Sequence, residues 1–551
     1  MKLKRFAAAI SAAALCLSLA ACGNQPEKPV DTGSNEVQME SNAPKSIVLT
    51  ENWDFKSGFY PVITPSNATH YGIIYWTHNF YDTLVKYTPE GELVGSLAES
   101  WDISDDGLVY TFKIREGVKF SDGTVLTAPM VKQSIQASIT NLGMYNGTYG
   151  RLTALIASMD ASNDSTFIMT LSTPYYAALN DLSMSCPLAI VNPAAFEGGD
   201  ENAYTVLADA TNGTGPYMYA GDYDGTTYTF VRNPHYWGEA PEADTFSIKV
   251  IPENDAKVLA LRNGEIDGII GSSRLSYDSF DSLKSDSAYG TLVAEAATLT
   301  RLLGFNMATA PFDNADVRAA VAYAIDQQAL ETAVFNGIET AAETVFSANR
   351  SYCDVETVTY ATDIEKAEEL LAGAGWIDTD GDGIREKDGA SLEIVLSYTN
   401  DLTAVENAVL AVKAQLEEVG FSVTLKGGDM MSWYGDVMAG TYNISLWKTT
   451  GGVYDPSASI TNINPNSSAD PVFAQYAPFI GQDLLTEVDS TADLGRVEEI
   501  YKVILTTIAD ENLNVPLSYT HETFAFNADK VAGYTFGYDN SYVDVASIDL
   551  K

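Results

Sequence analysis

From Lys45 onward the chain carries the hydrophobic patterning of a folded body. Ile47, Val48 and Leu49 form a short apolar run that predicts a first strand, and Tyr75 to Tyr87 (YWTHNFYDTLVKY) reads as an aromatic-rich helix running towards Pro89. Between Leu93 and Val131, the positions Val109, Thr111 and Lys113 alternate with Tyr110, Phe112 and Ile114, the period of a strand. Asp105-Asp106-Gly107 opens that strand and Glu116-Gly117 closes it, as turn chemistry demands. From about Pro311 the organisation changes to alternating helix and strand. Asp313 and Asn314 are helix-start residues before the stripe Val317, Val321, Ala324 and Ile325, which continues to Leu330. Thr362-Asp363-Ile364-Glu365 has the form of a capping box, and Gly373 and Gly375 stop its helix. Leu392 to Tyr398 reads as a strand. Val405, Val409, Val412, Leu416 and Val419 then make a helical stripe ended by Gly420, and Phe421, Val423 and Leu425 alternate as a second strand. This is a βαβ unit, whose crossover makes its strands parallel, so the second half is an α/β lobe with its own sheet.

Upstream of Lys45 the pattern is different. Lys2, Lys4 and Arg5 precede an apolar run from Phe6 to Leu17, and small residues lead into Cys22, which describes a secretory signal rather than a membrane span. The end of that signal, Leu19-Ala20-Ala21-Cys22, resembles a bacterial lipobox, and the resemblance implies that Cys22 heads the mature chain and carries a lipid. Residues 23–44 are polar, rich in Pro, Gly and Ser and without periodicity, as in a flexible spacer. No later apolar run is long enough to cross a bilayer, so the lipid is the expected anchor of a body held outside the cytoplasmic membrane.

A length of 551 residues exceeds what one hydrophobic core serves, so two or three compact lobes are expected. The formal net charge of −43 sets a like-charged field against nucleic acid and anionic membrane surfaces, which excludes nucleic-acid binding. After the signal and Cys22, only Cys186 and Cys353 remain. They are far apart in sequence and are expected to stay unpaired, although the compartment permits a bond.

Enzyme signatures are missing. There is no Gly-x-Ser-x-Gly elbow and no Walker loop, and Gly213-Thr214-Gly215-Pro216 places proline where a dinucleotide fingerprint opens its helix. His521-Glu522-Thr523-Phe524-Ala525 has alanine where a zinc-protease helix needs its second histidine. Asp378-Thr379-Asp380-Gly381-Asp382-Gly383 begins like a calcium loop, with carboxylates at alternate positions and glycine at the sharp turn, but the glutamate expected at position twelve is Gly389. A structural calcium on Asp378, Asp380 and Asp382 is the one metal site the sequence offers. Two aromatic groups, Tyr75, Trp76, Phe80 and Tyr81, and far along the chain Trp433, Tyr434, Trp447 and Tyr454, are candidates for a cleft that grips solutes by stacking.

Several ordered blocks resemble the solute-binding proteins of the oligopeptide, dipeptide and nickel ABC importers, solute-binding family five. They are Phe80 to Gly123, Gly213-Thr214-Gly215-Pro216-Tyr217, Arg232-Asn233-Pro234-His235-Tyr236-Trp237, and Phe305-Asn306-Met307 followed by PFDNADVRAAVAYAIDQQAL. Further on come Gly375-Trp376 before DTDGDGIREKDG, and Trp447 with Tyr454-Asp455-Pro456. The resemblance implies an α/β, bilobal periplasmic-binding-protein-like fold of type II with an extra subdomain in the first lobe and the ligand cleft between lobes. On that scheme residues 45–298 and 517–551 make lobe I, with the subdomain at about 89–211, and residues 299–516 make lobe II. It implies solute capture by hinge closure and delivery to an ABC permease, with no chemistry, by a chain expected to act as a monomer. Trp447 and Tyr454 lie in the family's ligand loop, Tyr75, Trp76 and His78 form a second candidate group, and Arg301 at the crossing between lobes is placed to meet a carboxylate. The cargo departs from both family patterns. The position of the peptide-anchoring aspartate is Gly452, residues 457–468 hold no histidine for a metal chelate, and no arginine stands near Cys186-Pro187-Leu188-Ala189 to clamp a chelator. A peptide-like solute is the first expectation and a nickel or other metal chelate the second. The other class is a surface receptor or adhesion protein on the same fold that has lost capture.

Overall fold

Two long antiparallel strands, Tyr289–Phe305 and Asn514–Asn527, run through the middle of the molecule. In this computed structural model the described residues are 44–67, 72–400, 404–449, 456–467, 470–539 and 541–551. The signal, Cys22, spacer residues 23–43 and Tyr454 lie outside them. At about 3.3 Å per residue the longer strand extends roughly 55 Å, enough to serve two separate cores. At one end Tyr289 to Val293 pair with Asn527 to Thr523, and at the other Leu299 to Gly304 pair with Thr520 to Asn514. Between these ends the register shifts from Val293 to Ala297 and again from Ala297 to Leu299, with a further shift between Arg301 and Leu302.

Every other strand of the large sheet is added outward from this ribbon. On one side follow Ile444–Lys448, Glu393–Thr399 and Ser422–Gly428; on the other follow Gly268–Ile269, Ser46–Glu51, Thr245–Val250, Thr227–Arg232 and Tyr217–Tyr223. The βαβ unit read from the sequence is present, with Glu393–Thr399 parallel to Ser422–Gly428 and the helix Val405–Glu418 between them. Alternate strand positions feed two cores, because period two sends neighbours to opposite faces. Leu303, Phe305, Ile444 and Leu446 meet Val317, Val321, Val409 and Leu416 on one face, whereas Leu302 and Trp447 meet the helix Leu494–Asp510 on the other. The first lobe has an aromatic core of Phe59, Trp76, Phe80, Phe230, Phe246 and Phe524. Beside it a four-stranded antiparallel sheet, from Ala98–Ile103 to Ile156–Asp160, packs with the helix Ala128–Leu142 around Phe112 and Phe167. The fold is thus bilobal and α/β.

Three local expectations are corrected. The aromatic segment is a 3-10 helix only over Gly72–Asn79; Val85–Tyr87 is instead a strand paired with Leu93–Gly95, its Val85 carried into the core of the small sheet. The stripe from Val317 to Leu330 is two helices, Ala315–Ala324 and Gln327–Ala333, because Asp326 caps the second by accepting from the amide of Ala329. The helix Ile364–Gly373 is capped by Asp363, which accepts from the Lys366 amide, while Thr362 donates to the carbonyl of Ile325.

The Gly213-Thr214-Gly215 stretch shows why glycine is needed there. The Gly215 amide donates to the Phe80 carbonyl at 3.0 Å, and a Cβ on Gly215 would stand 2.5 Å from the Phe80 carbonyl carbon. Backbone cannot swing aside as a side chain can. Gly215→Ala is therefore expected to destabilise the protein by about 1–3 kcal/mol, read as a lower urea midpoint with unchanged slope.

Candidate functional site

Where the long strands shift register, charged side chains gather. Arg301 stands at one of the shifts and its guanidinium grips Glu339 with both arms, Nη2 to Oε1 at 2.6 Å and Nε to Oε2 at 3.1 Å. Tyr277 donates to the same carboxylate at 2.6 Å and Ser518 donates to it as well. Glu339 is 0 % exposed. Burial by itself would raise its carboxyl, but the Arg301 charge and these hydrogen bonds outweigh burial and hold it below the usual range. The carboxylate that Arg301 meets is the chain's own.

Lys448 is the direct cross-strand partner of Arg301. Burial, with the nearby charges of Arg274 and Arg301, lowers its amine to about 8. Arg274 reaches Glu522 at 3.3 Å, and burial raises the Glu522 carboxyl against that attraction. Towards the first lobe the series continues through Tyr75, whose phenol burial pushes up to about 12 in the field of Glu51, Arg274 and Glu522. Glu51 is buried, accepts from the Trp76 indole at 2.8 Å and from the Asn52 amide at 2.7 Å, and has its carboxyl raised by that burial. Tyr75 and Arg301, singled out separately in the sequence, thus belong to one polar series that also holds Glu51, Arg274, Glu339, Lys448 and Glu522. None of these five was read from the sequence as a site residue. Their signal was a charge inside an apolar run, as with Lys448 after Leu446-Trp447 and Glu522 before Phe524-Ala525-Phe526.

The remaining candidates are placed differently. Trp447 is 6 % exposed, lies 4.9 Å from the Trp433 ring and 6.4 Å from the Tyr434 ring, and its buried indole N–H has no hydrogen-bond partner among the described residues. Trp76 is 0 % exposed, stacked on Phe246 and tied to Glu51, so it has no face open to a solute. His78 packs at 4.2 Å against Tyr542, its Nδ1 has no hydrogen-bond partner among the described residues, and burial lowers its imidazole to about 4. Tyr454 lies outside the described residues. The carboxylates of Asp378, Asp380 and Asp382 converge with that of Glu386 to within 4.8 Å of one another, so the fourth carboxylate comes from position nine of the loop. Cys186 and Cys353 are both buried, in different cores, and share no disulfide. A cavity of about 330 Å³ lies apart from the charged series, lined among others by Thr344, Phe346, Cys353 and Tyr360.

Residues 92–470, more than half of the chain, match the sequence pattern described as bacterial extracellular solute-binding proteins, family 5. The chain belongs to this family. The nickel-binding periplasmic protein of Escherichia coli (strain K12) is 30% identical over 443 residues, covering 80% of this chain and 83% of the relative. NikA from Brucella suis, crystallised with Fe(III)-EDTA, is 29% identical with a TM-score of 0.83, over 92% of this chain and 100% of that one. The oligopeptide-binding protein AppA of Bacillus subtilis, solved with a nonapeptide, shares the fold at a TM-score of 0.71 and 21% identity, over 92% of this chain and 100% of that one. As a family 5 protein the chain is the substrate-binding component of an ABC importer of the peptide and nickel group, a binding protein and not an enzyme. The family works outside the cytoplasm, and no described helix is long and apolar enough to cross a membrane.

Two measurements probe this region. Glu339→Ala leaves Arg301 buried without its partner, and a loss of about 3–5 kcal/mol in chemical unfolding is expected. His78 titrates near 6.5 when unfolded and near 4 when folded, so the unfolded chain binds more protons between those values and stability falls as pH drops through that window. The contribution reaches about 3 kcal/mol at full depth, and His78→Phe is expected to flatten the stability profile between pH 6.5 and 4 relative to the parent.

Proposed function

We propose that this protein captures a small peptide-like solute between its lobes and hands it to an ABC permease while tethered to the membrane by a lipid on Cys22. The observation that supports capture is the ribbon Tyr289–Phe305 with Asn514–Asn527. It joins two cores, and its register shifts between Val293 and Ala297 and again between Ala297 and Leu299, where a small change in backbone angles turns one lobe against the other. The lobes run as residues 45–298 with 517–551, and 299–516, on this reading. Closure then follows from contacts made only when both lobes touch the solute. The charged series from Glu51 to Lys448 lies where those contacts form, and Trp447 adds an aromatic wall from the second lobe. The spacer of residues 23–44 gives the body reach and freedom to turn near its permease.

A second reading is that the solute is a metal chelate. It is favoured by the relatives themselves, one named as nickel-binding and one crystallised with Fe(III)-EDTA. Both readings share one test, because a solute that binds only the folded form raises the melting temperature by mass action. On the chain from Lys45, short peptides and nickel with histidine are screened side by side. A rise in melting temperature with either class is the expected result, and its absence with every small solute favours a surface receptor that has lost capture. Trp447→Ala is expected to abolish the ligand-induced shift. Because Trp447 is core-packed, the variant's own melting temperature is recorded first, and the shift is compared against that baseline.

A further inference from the structure

The cavity of about 330 Å³ beside the helix Leu494–Asp510 is lined by none of the residues of the charged series and by none of the candidates for solute capture. Its walls come from four places in the chain. They are the join between the helices Ala315–Ala324 and Gln327–Ala333, the segment from Ala341 to Phe346, the irregular stretch from Cys353 to Thr362, and the end of the helix Leu494–Asp510 with the start of the strand Asn514–Asn527. Hydrogen bonds pin these walls to one another. Gln327 Nε2 donates to the Pro516 carbonyl at 3.3 Å, the Ala342 amide to the Leu517 carbonyl at 3.3 Å, the Tyr360 hydroxyl to the Ala509 carbonyl at 3.2 Å, and the Thr362 hydroxyl to the Ile325 carbonyl at 3.2 Å. The space is thus preformed by the fold, as sites for small molecules usually are.

Much of the wall is apolar, from Val345, Phe346, Leu505, Ile508 and Val515, all buried. Its polar atoms are short of donors. Asn514 is 5 % exposed, and its Oδ1 has no hydrogen-bond partner among the described residues, while its Nδ2 donates to the Tyr476 hydroxyl at 3.2 Å. The Thr357 Oγ1 is likewise buried without a hydrogen-bond partner among them. Asp326 and Glu343 add two carboxylates, neither in an ion pair among the described residues, and no Lys, Arg or His lines the cavity. A buried acceptor that has lost water and found no donor is unfavourable, so the cavity is complementary to a molecule that brings donors and positive charge. Water can satisfy an acceptor, but it neither covers apolar wall nor balances a carboxylate.

We propose that this cavity is a second binding site, separate from the cleft, which takes a small organic amine with its ammonium group towards these acceptors and carboxylates and its apolar body against Val345, Phe346 and Leu505. A protonated amine offers donors and accepts nothing, which matches a lining of unmet acceptors. Its apolar body gains by leaving water for the buried part of the wall. The field of a chain with net charge −43 also favours the approach of a cation over that of an anion. The site stands or falls independently of what the cleft captures.

Titration calorimetry on the chain from Lys45, which forms one compact unit, tests this with 2-phenylethylamine, 2-phenylethanol and 3-phenylpropanoate, which share an apolar body and differ in the head group. The amine is expected to bind roughly tenfold or more tightly than the alcohol, and the carboxylate more weakly than either. Asp326→Asn combined with Glu343→Gln is expected to remove the amine's advantage and to leave the alcohol's affinity as in the parent. Asparagine caps a helix as well as aspartate does, so Gln327–Ala333 keeps its cap, and Glu343 is exposed. Leu505, Ile508 and Ala509 share one helix face on the cavity, so Ala509→Phe fills it and is expected to abolish amine binding. The melting temperature of that variant is recorded first, and if it does not fold, the carboxylate pair alone decides. If the amine does not bind, or binds no better than the alcohol, the proposal is overturned. It is overturned equally if the amine keeps its advantage in the double variant or its affinity in a folded Ala509→Phe, because the amine then sits elsewhere.

Discussion

One antiparallel ribbon, Tyr289–Phe305 against Asn514–Asn527, constrains everything else in the molecule. The strands of the large sheet reach it through hydrogen bonds, directly or through their neighbours, so the two cores share a single hydrogen-bonded sheet, while the four-stranded sheet of the first lobe is separate from it. A sheet that ran on without interruption would be stiff. The register shifts between Val293 and Leu299 interrupt its regularity, and an irregular ladder bends and twists more easily than a regular one. Rigidity within each lobe and compliance between them therefore come from the same two strands.

The same break explains where the charges lie. Regular central strands bury both faces and carry apolar runs, as Leu302, Leu303, Phe305, Leu446 and Trp447 do. Near the register shifts stand Arg301, Glu339, Lys448 and Glu522. Glu339 is tolerated at complete burial because four donors, from Arg301, Tyr277 and Ser518, meet its two oxygens. An ion pair of this quality orders the junction more than it stabilises it, since its Coulomb gain is set against the cost of removing both charges from water.

Much of this architecture could be read from the residues. The βαβ unit from Leu392 to Leu425 was legible because Val405, Val409, Val412 and Leu416 keep helical period between two runs that keep strand period. The strand at Val109 was legible from alternation alone. The segment after Asn79 was not, because Phe80, Tyr81, Leu84 and Val85 are apolar in either conformation and pairing with Leu93–Gly95, which lies later in the chain, decided it. The site was legible only by half. Tyr75 and Arg301 could be picked out by type and position. That their neighbours in space are Arg274, Glu339, Lys448 and Glu522 depends on tertiary proximity across up to about four-fifths of the chain, from Tyr75 to Glu522, which no local spacing encodes.

The buried charges of the junction have to be weighed against the acidity of the whole protein. At physiological ionic strength exposed charges are screened over about 8 Å, so the many surface carboxylates act weakly on groups inside the fold. Arg301 and Glu339 meet at 2.6 Å and out of water, where each interaction is stronger than at the surface. The acidic exterior thus bears on approach and on solubility, whereas the buried ion pairs bear on how the two long strands are held where their register shifts.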